Sequence, residues 1–142
     1  MPVDPHLPLA LGQIVRRFRA EWTARLAQHD SHHSPAHYHA LSFLAENPGA
    51  HLQGIVEYVG LDKGNVTRLV KELATQGLVE RQADPEDRRC ACLQLTAAGR
   101  RVLDELQALK DAANERLFGP LDEAEQRQLS QLLRKALSGQ PE

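Results

Sequence analysis

The stretch from Val59 to Thr96, VGLDKGNVTRLVKELATQGLVERQADPEDRRCACLQLT, leaves the chain few ways to fold. Gly60 follows a short apolar-periodic segment, where a glycine in the left-handed conformation closes a helix. Asp62 is placed to cap a second helix that runs to Gly77. Within it Val66, Leu69, Val70 and Leu73 recur at i, i+3, i+4 and i+7, so one face is apolar and buried. The opposite face carries Lys63, Gly64, Asn65, Thr67, Arg68 and Lys71. Beyond Gly77, Leu78–Gln82 reads as a strand and Arg89–Leu95 as its antiparallel partner. The tip between them is Asp84-Pro85-Glu86-Asp87-Arg88-Arg89. Two helices joined by a tight turn and followed by a basic-tipped hairpin make a winged helix-turn-helix. The second helix of such a unit enters a major groove, and side chains of the types found on its polar face bond to phosphates and base edges. The reading is therefore a binder of duplex DNA.

The rest of the chain is helical by pattern, so the expected class is mainly α with a small β-hairpin wing. Residues 1–8 hold three prolines and read as an extended arm. From Leu9 a helix carries Leu11, Ile14, Val15, Phe18, Trp22 and Leu26 on one stripe and ends near His29. Ser34 caps a second helix with Pro35 at its first position. Tyr38, Leu41, Leu44 and Ala45 form its buried side, and Asn47-Pro48-Gly49 stops it. A third helix spans Leu52 to Val59, with Gly54 costing roughly 1 kcal/mol of helix propensity in its middle. Thr96 caps a long fifth helix bearing Val102, Leu103, Leu106, Leu109, Ala113 and Leu117 along one side. Gly119-Pro120 interrupts it, and Asp122 with Glu125 opens a last helix bearing Leu129, Leu132, Leu133, Ala136 and Leu137. The whole of residues 1–142 reads as one domain, with 34–95 as the winged helix and 9–29 and 97–138 as dimerisation helices. The terminal stripes are longer than a winged helix covers, which predicts a symmetric dimer reading two half-sites about one helical turn apart.

Composition pulls partly the other way. The 142 residues carry a net charge of −2, whereas a DNA-binding domain is usually basic. Between Asp62 and Arg89 six Lys and Arg are matched by six Asp and Glu. A DNA-facing surface must therefore come from segregating the signs in space, and a dimer presenting two such surfaces recovers affinity that one neutral module lacks. No run of about 20 apolar residues appears and the N-terminus lacks a secretory pattern, so a cytoplasmic location without membrane contact is expected. Two cysteines, Cys90 and Cys92, make no disulfide framework. No catalytic motif is present, and a non-enzymatic role without a cofactor is expected.

The pieces Leu61-Asp62, Val66-Thr67-Arg68-Leu69-Val70, Gly77-Leu78-Val79, Asp84-Pro85-x-Asp87-Arg88-Arg89 and Leu95-Thr96-x-x-Gly99 together resemble the MarR/SlyA family of winged-helix transcriptional regulators, over roughly Ser34 to Leu137. The resemblance implies a homodimer joined through its terminal helices, acting on operator DNA, more often a repressor than an activator and released by a small-molecule effector. It implies that Lys63 to Thr67 sit in the major groove and that Arg68 contacts bases. Arg88 or Arg89 would enter a narrow minor groove, with Asp84 and Asp87 shaping the wing. His51, Gly54 and Gly64 depart from the family's usual residues, and Gly64 supplies no side chain for base contact.

Two constellations leave further readings open. Five histidines fall between His29 and His39, and imidazole is a common metal ligand, so His29, His33, His37 and His39 are candidate metal ligands for a sensor of the same fold. In the family this junction borders the effector cleft, which makes His33 and His37, with Phe18 and Trp22 on the first helix, candidate pocket residues. Cys90 and Cys92 fall on one face of the expected strand, either as buried filler or as an oxidant sensor. A winged helix that binds proteins and not DNA is a further alternative, distinguished by the absence of salt-dependent DNA binding.

Overall fold

The computed structural model describes residues 1–29 and 32–139. Six helices and one hairpin follow in the order α1 (His6–Gln28), α2 (Pro35–Glu46), α3 (Leu52–Val59), α4 (Lys63–Thr75), β1 (Val79–Ala83), β2 (Ala91–Leu95), α5 (Ala97–Phe118) and α6 (Glu123–Ser138). The architecture is mainly α with a small hairpin wing, as the periodicities predict. The chain divides into two compact units, Trp22–Lys110 and Met1–Glu21 with Asp111–Glu142.

The unit Trp22–Lys110 contains the winged helix. Its interior is built on Leu41, Leu44, Ile55, Val66, Val70, Leu73 and Leu106, all fully buried. Each such side chain contributes about 1.5–3 kcal/mol through burial. Trp22 joins this core edge-on against Tyr38, with ring centroids 5.2 Å apart. The Lys110 ammonium lies over both rings, 5.2 and 4.6 Å from their centroids.

Each helix boundary in this unit has a local cause. Ser34 caps α2, and the reciprocal bond of its capping box comes from His37, an imidazole where glutamate or glutamine is usual. Gly60, at φ +76°, closes α3 in the left-handed conformation. Asp62 caps α4 by accepting from Asn65 N–H at 2.9 Å. After α4, Leu78 N–H reaches back to Leu73 C=O at 2.9 Å across Gly77, at φ +75°. The wing pairs Val79 with Leu95 through Ala83 with Ala91, antiparallel. A third segment joins it: Leu93 N–H donates to Ala50 C=O and Gly49 N–H to Leu93 C=O, at 2.9 and 3.1 Å.

β1 runs Val79–Ala83, one residue on from the expected Leu78–Gln82, and two boundaries differ by more. The first helix starts at His6, not Leu9. Asp4 accepts His6 N–H through its carboxylate at 2.9 Å, and Pro8 falls in the first turn, where a missing N–H costs nothing. The second strand starts at Ala91, not Arg89, because Cys90 N–H turns back to Asp87 C=O at 3.1 Å and keeps Arg88 to Cys90 in the tip.

In the unit formed by Met1–Glu21 and Asp111–Glu142, α6 opens with the expected capping box. Glu125 N–H donates to Asp122 at 2.8 Å and Asp122 N–H donates to Glu125 at 3.0 Å. Arg116 pairs with Glu21 at 2.8 Å. A groove of about 600 Å³ runs between the end of α5 and α6, lined on its apolar side by Phe118, Leu129, Leu133 and Leu137. Leu7, Leu9, Leu11, Val15, Leu132, Leu133 and Leu137 are all exposed in the single chain.

Candidate nucleic-acid interface

The polar face of α4 is held in order from its first turn. Asp62 accepts Asn65 N–H through one oxygen and the Asn65 amide through the other, at 2.9 and 2.6 Å. The Asn65 side-chain oxygen then accepts from Arg68 Nη2 at 2.7 Å. Hydrogen bonds from Asn65, its backbone N–H first, keep the Asp62 carboxyl below the usual carboxylate range. Thr67 hydroxyl donates to Lys63 C=O at 2.7 Å. Lys63, Gly64, Asn65, Thr67, Arg68 and Lys71 are all exposed, while Val66, Leu69, Val70 and Leu73 behind them are buried. The six predicted residues thus form one outward row on a helix whose other side is fixed in the core.

The wing tip is a network of short bonds. Asp84 N–H donates to Cys90 C=O at 3.2 Å and closes the loop. Asp87 accepts Arg89 N–H at 3.0 Å, while the Arg89 guanidinium lies 3.8 Å from the same carboxylate and is 95% exposed. Asp87 therefore shapes the tip mainly through a backbone bond, and its ion pair with Arg89 is loose. Arg88 is exposed beside it. Asp84 accepts Glu86 N–H at 2.8 Å and faces His51 Nε2 at 2.6 Å. Those bonds, the Glu86 N–H first, hold its carboxyl below the usual range. Between α3, α4 and the strands lies a groove of about 390 Å³ into which Lys63, Thr67, Arg81 and Arg89 project. His51 and Arg81 escaped the sequence reading. The signal for His51 was its cap position, which it occupies without making a side-chain cap bond.

Among the described residues, no three of His29, His33, His37 and His39 bring ligand atoms together. His37 is buried with both ring nitrogens engaged: Nδ1 accepts Ser34 N–H at 2.9 Å, and Nε2 lies 3.0 Å from Glu72 of α4. Burial pushes its pKa below 6.5, against the pull of Glu72. His33 bonds to Gln76 at 2.8 Å, and His39 packs edge-on against Trp22 and Tyr38. Of the four candidate pocket residues, His37 lines a cleft of about 560 Å³ that also takes in Asn65, Arg68 and Glu72. Trp22 belongs to the core, and Phe18 is half-buried in the other unit.

The cysteines depart from their expected setting. Cys90 lies in the exposed tip and Cys92 is half-buried in β2, so they share no strand face and Cys90 is not core filler. Asp87 raises the Cys90 thiol pKa, and burial followed by Asp84 raises that of Cys92. Both thiols are held protonated, the opposite of a reactive thiolate.

A capped recognition helix, a positioning helix set against it by a left-handed glycine, and a short three-segment wing define the winged helix-turn-helix class. The family model of the MarR family matches residues 34–89, from the cap of α2 to the wing tip. The regulator HosA of Escherichia coli is 27% identical over 128 residues, covering 90% of this chain and 92% of HosA. The transcriptional repressor MprA of Escherichia coli is 38% identical over 80 residues, covering 56% of this chain and 46% of MprA. The solved structure of Bordetella bronchiseptica BpsR, whose DNA binding is regulated by 6-hydroxynicotinic acid, matches with a TM-score of 0.79 at 24% identity, covering 99% of this chain and 100% of that one. The chain is thus similar to MarR-family transcriptional regulators, its winged helix matching that family's model. Among the described residues no helix is long and apolar enough to cross a membrane.

Proposed function

We propose that the protein is a ligand-responsive repressor that binds a pseudo-palindromic operator as a homodimer. The observation that carries this reading is the exposed row Lys63, Asn65, Thr67, Arg68 and Lys71, ordered by Asp62 and backed by a buried face. An arginine held by a neighbouring asparagine presents its guanidinium at small entropic cost, the arrangement suited to bidentate contact with a guanine edge. Arg88 and Arg89 at the wing tip supply the minor-groove contact, where a narrow A·T-rich groove concentrates negative potential. The exposed leucines of α6 and the apolar residues of early α1 support a partner copy, since isologous burial of such stripes is the simplest way to remove them from water.

Regulation of BpsR by a small aromatic acid supports ligand control here by likeness, without carrying over the ligand. The His37 cleft is where we place an effector, because Arg68 and Glu72 of the recognition helix reach it. Occupancy there changes the setting of α4 directly.

Selection of bound fragments from genomic DNA, followed by fluorescence anisotropy on the selected site, tests the reading. Affinity should fall steeply with salt. Arg68→Ala should lose about 1–3 kcal/mol of discrimination at one base pair, and Arg89→Ala should weaken all sequences and lower the salt slope by about 1. Undiminished affinity and selectivity in both variants would sink the docking mode.

A further inference from the structure

Three separate segments meet at the base of the wing. His51 stands at the start of α3, Asp84 follows β1, and Cys92 lies within β2. One ligand-capable atom from each lies within 4.8 Å of the other two. His51 Nε2 is already 2.6 Å from Asp84 Oδ2, and the other Asp84 oxygen is fixed by Glu86 N–H at 2.8 Å. His51 occupies a helix cap without capping, its imidazole directed instead to a carboxylate and a thiol from the wing. Asp84, Cys90 and Glu86 bear electrostatically on the Cys92 sulfur, Asp84 most strongly. The cations Lys63, Arg81 and Arg89 project into the adjoining groove.

We infer that His51 Nε2, Asp84 Oδ2 and Cys92 Sγ form a binding site for a borderline divalent cation of the zinc class, which clamps the wing to the start of α3. Nitrogen, oxygen and sulfur donors together select zinc-like ions over magnesium or calcium, which take oxygen alone. Three protein ligands leave one tetrahedral position for water. The proton now between His51 and Asp84 moves to Nδ1 as the imidazole changes tautomer. The Cys92 thiol gives its proton to solvent, because a coordinated thiol is deprotonated outright. One proton is therefore released per metal bound to neutral His51. Tetrahedral bonds of about 2.0–2.3 Å hold donors about 3.3–3.6 Å apart. His51 Nε2 and Asp84 Oδ2 therefore part slightly from 2.6 Å, and the ion replaces their hydrogen bond with a bridge that also ties in β2. The site is separate from the His29–His39 run, and His51 borders the groove that Lys63 and Thr67 of α4 also line.

Cobalt(II) serves as the probe, titrated into full-length protein freed of metal by a chelator. The expected result is a thiolate-to-cobalt charge-transfer absorption saturating at about one equivalent and displaced by zinc. It should be absent in Cys92→Ser and in His51→Gln and retained in Cys90→Ser. Zinc should raise the thermal midpoint of the parent and leave that of Cys92→Ser unmoved. Circular dichroism checks folding, and the half-exposed His51→Gln carries the test if Cys92→Ser unfolds. No absorption in the parent overturns the inference, as does a band that survives Cys92→Ser. Loss of the band in Cys90→Ser overturns this ligand set. Histidine-only binding at the 29–39 run gives no thiolate band, and DNA binding plays no part in the readout.

Discussion

Gly99 tests whether the junction of wing and α5 is as tight as its geometry says. It lies in the first turn of α5, buried, with its N–H donating to the Thr96 hydroxyl at 3.0 Å. A methyl group there would sit 2.2 Å from Leu78 C=O and 2.7 Å from Leu95 Cδ1. Helix propensity alone makes Gly99→Ala favourable by about 0.5–1 kcal/mol. Against that, the Leu78 carbonyl must retreat by roughly 1 Å to reach an ordinary contact, a forced overpacking of about 1–3 kcal/mol. That carbonyl also accepts Thr96 N–H at 3.0 Å. Weakening this bond costs about 0.5–1.5 kcal/mol more. The sum is a net loss of about 0.5–4 kcal/mol, which lowers the thermal midpoint by roughly 2–14 °C. Gly64→Ala is the control: its methyl meets only Asp62 Oδ1, at 3.3 Å. Thermal melts at one fixed protein concentration compare the two, since association shifts apparent stability. A Gly99→Ala protein as stable as the parent, or more so, would refute the steric argument.

Three further outcomes follow from the same geometry. Because burial depresses the His37 pKa below 6.5, the unfolded chain binds a proton that the folded chain resists, so this group's stability is full above 6.5 and is lost as pH falls below it. His39, shifted downward by burial and then by Lys110, adds to the slope. Urea midpoints at about pH 7.5 and about pH 5.5 should differ less in His37→Gln than in the parent, and an unchanged difference removes His37 from the account. Leu133→Asp combined with Leu137→Asp should halve the sedimenting mass of the proposed homodimer; a variant still dimeric moves the interface off α6. Peroxide should leave operator affinity unaltered, since both thiols are held protonated, and a peroxide response abolished by Cys90→Ser would show a thiolate after all.

What could be read from the sequence was whatever neighbouring residues decide. The caps at Ser34, Asp62, Thr96 and Asp122 and the stop at Gly60 rest on side chains bonding within a few positions, so residue type and spacing suffice. The polar row of α4 followed from periodicity once those ends were set. The errors arose where a local rule had a competitor. Alternation carried the second strand back to Arg89, but the Asp87 carbonyl captures Cys90 N–H and holds the tip as a turn. Prolines near the N-terminus read as an arm, yet one falls where a helix needs no N–H. The meeting of His51, Asp84 and Cys92 left no local trace, because it depends on the wing folding back beside α3. His37 was visible only as one of a run, since its link to Glu72 spans two helices.

The charge balance that seemed to argue against DNA resolves at the level of bonding. Between Asp62 and Arg89 the acids equal the bases in number, but four of the six acids are engaged in hydrogen bonds. Asp62 is held by Asn65, Asp84 by Glu86 N–H and His51, Asp87 by Arg89 N–H, and Glu72 by His37. A carboxylate that accepts N–H bonds has its field offset by those dipoles and is fixed against the fold. The bases Lys63, Arg68, Lys71, Arg88 and Arg89 are all exposed, with Arg68 held by Asn65 and Arg89 only loosely by Asp87. Caps and turns must be acidic or polar because helix starts and tight loops expose N–H groups. The acids this fold requires are therefore tied into caps, turns and an interhelical bond, although Asp62, Glu72 and Asp87 stay exposed. A winged helix can thus present a cationic reading face from a neutral sequence, and mean charge is a poor guide to whether it binds DNA.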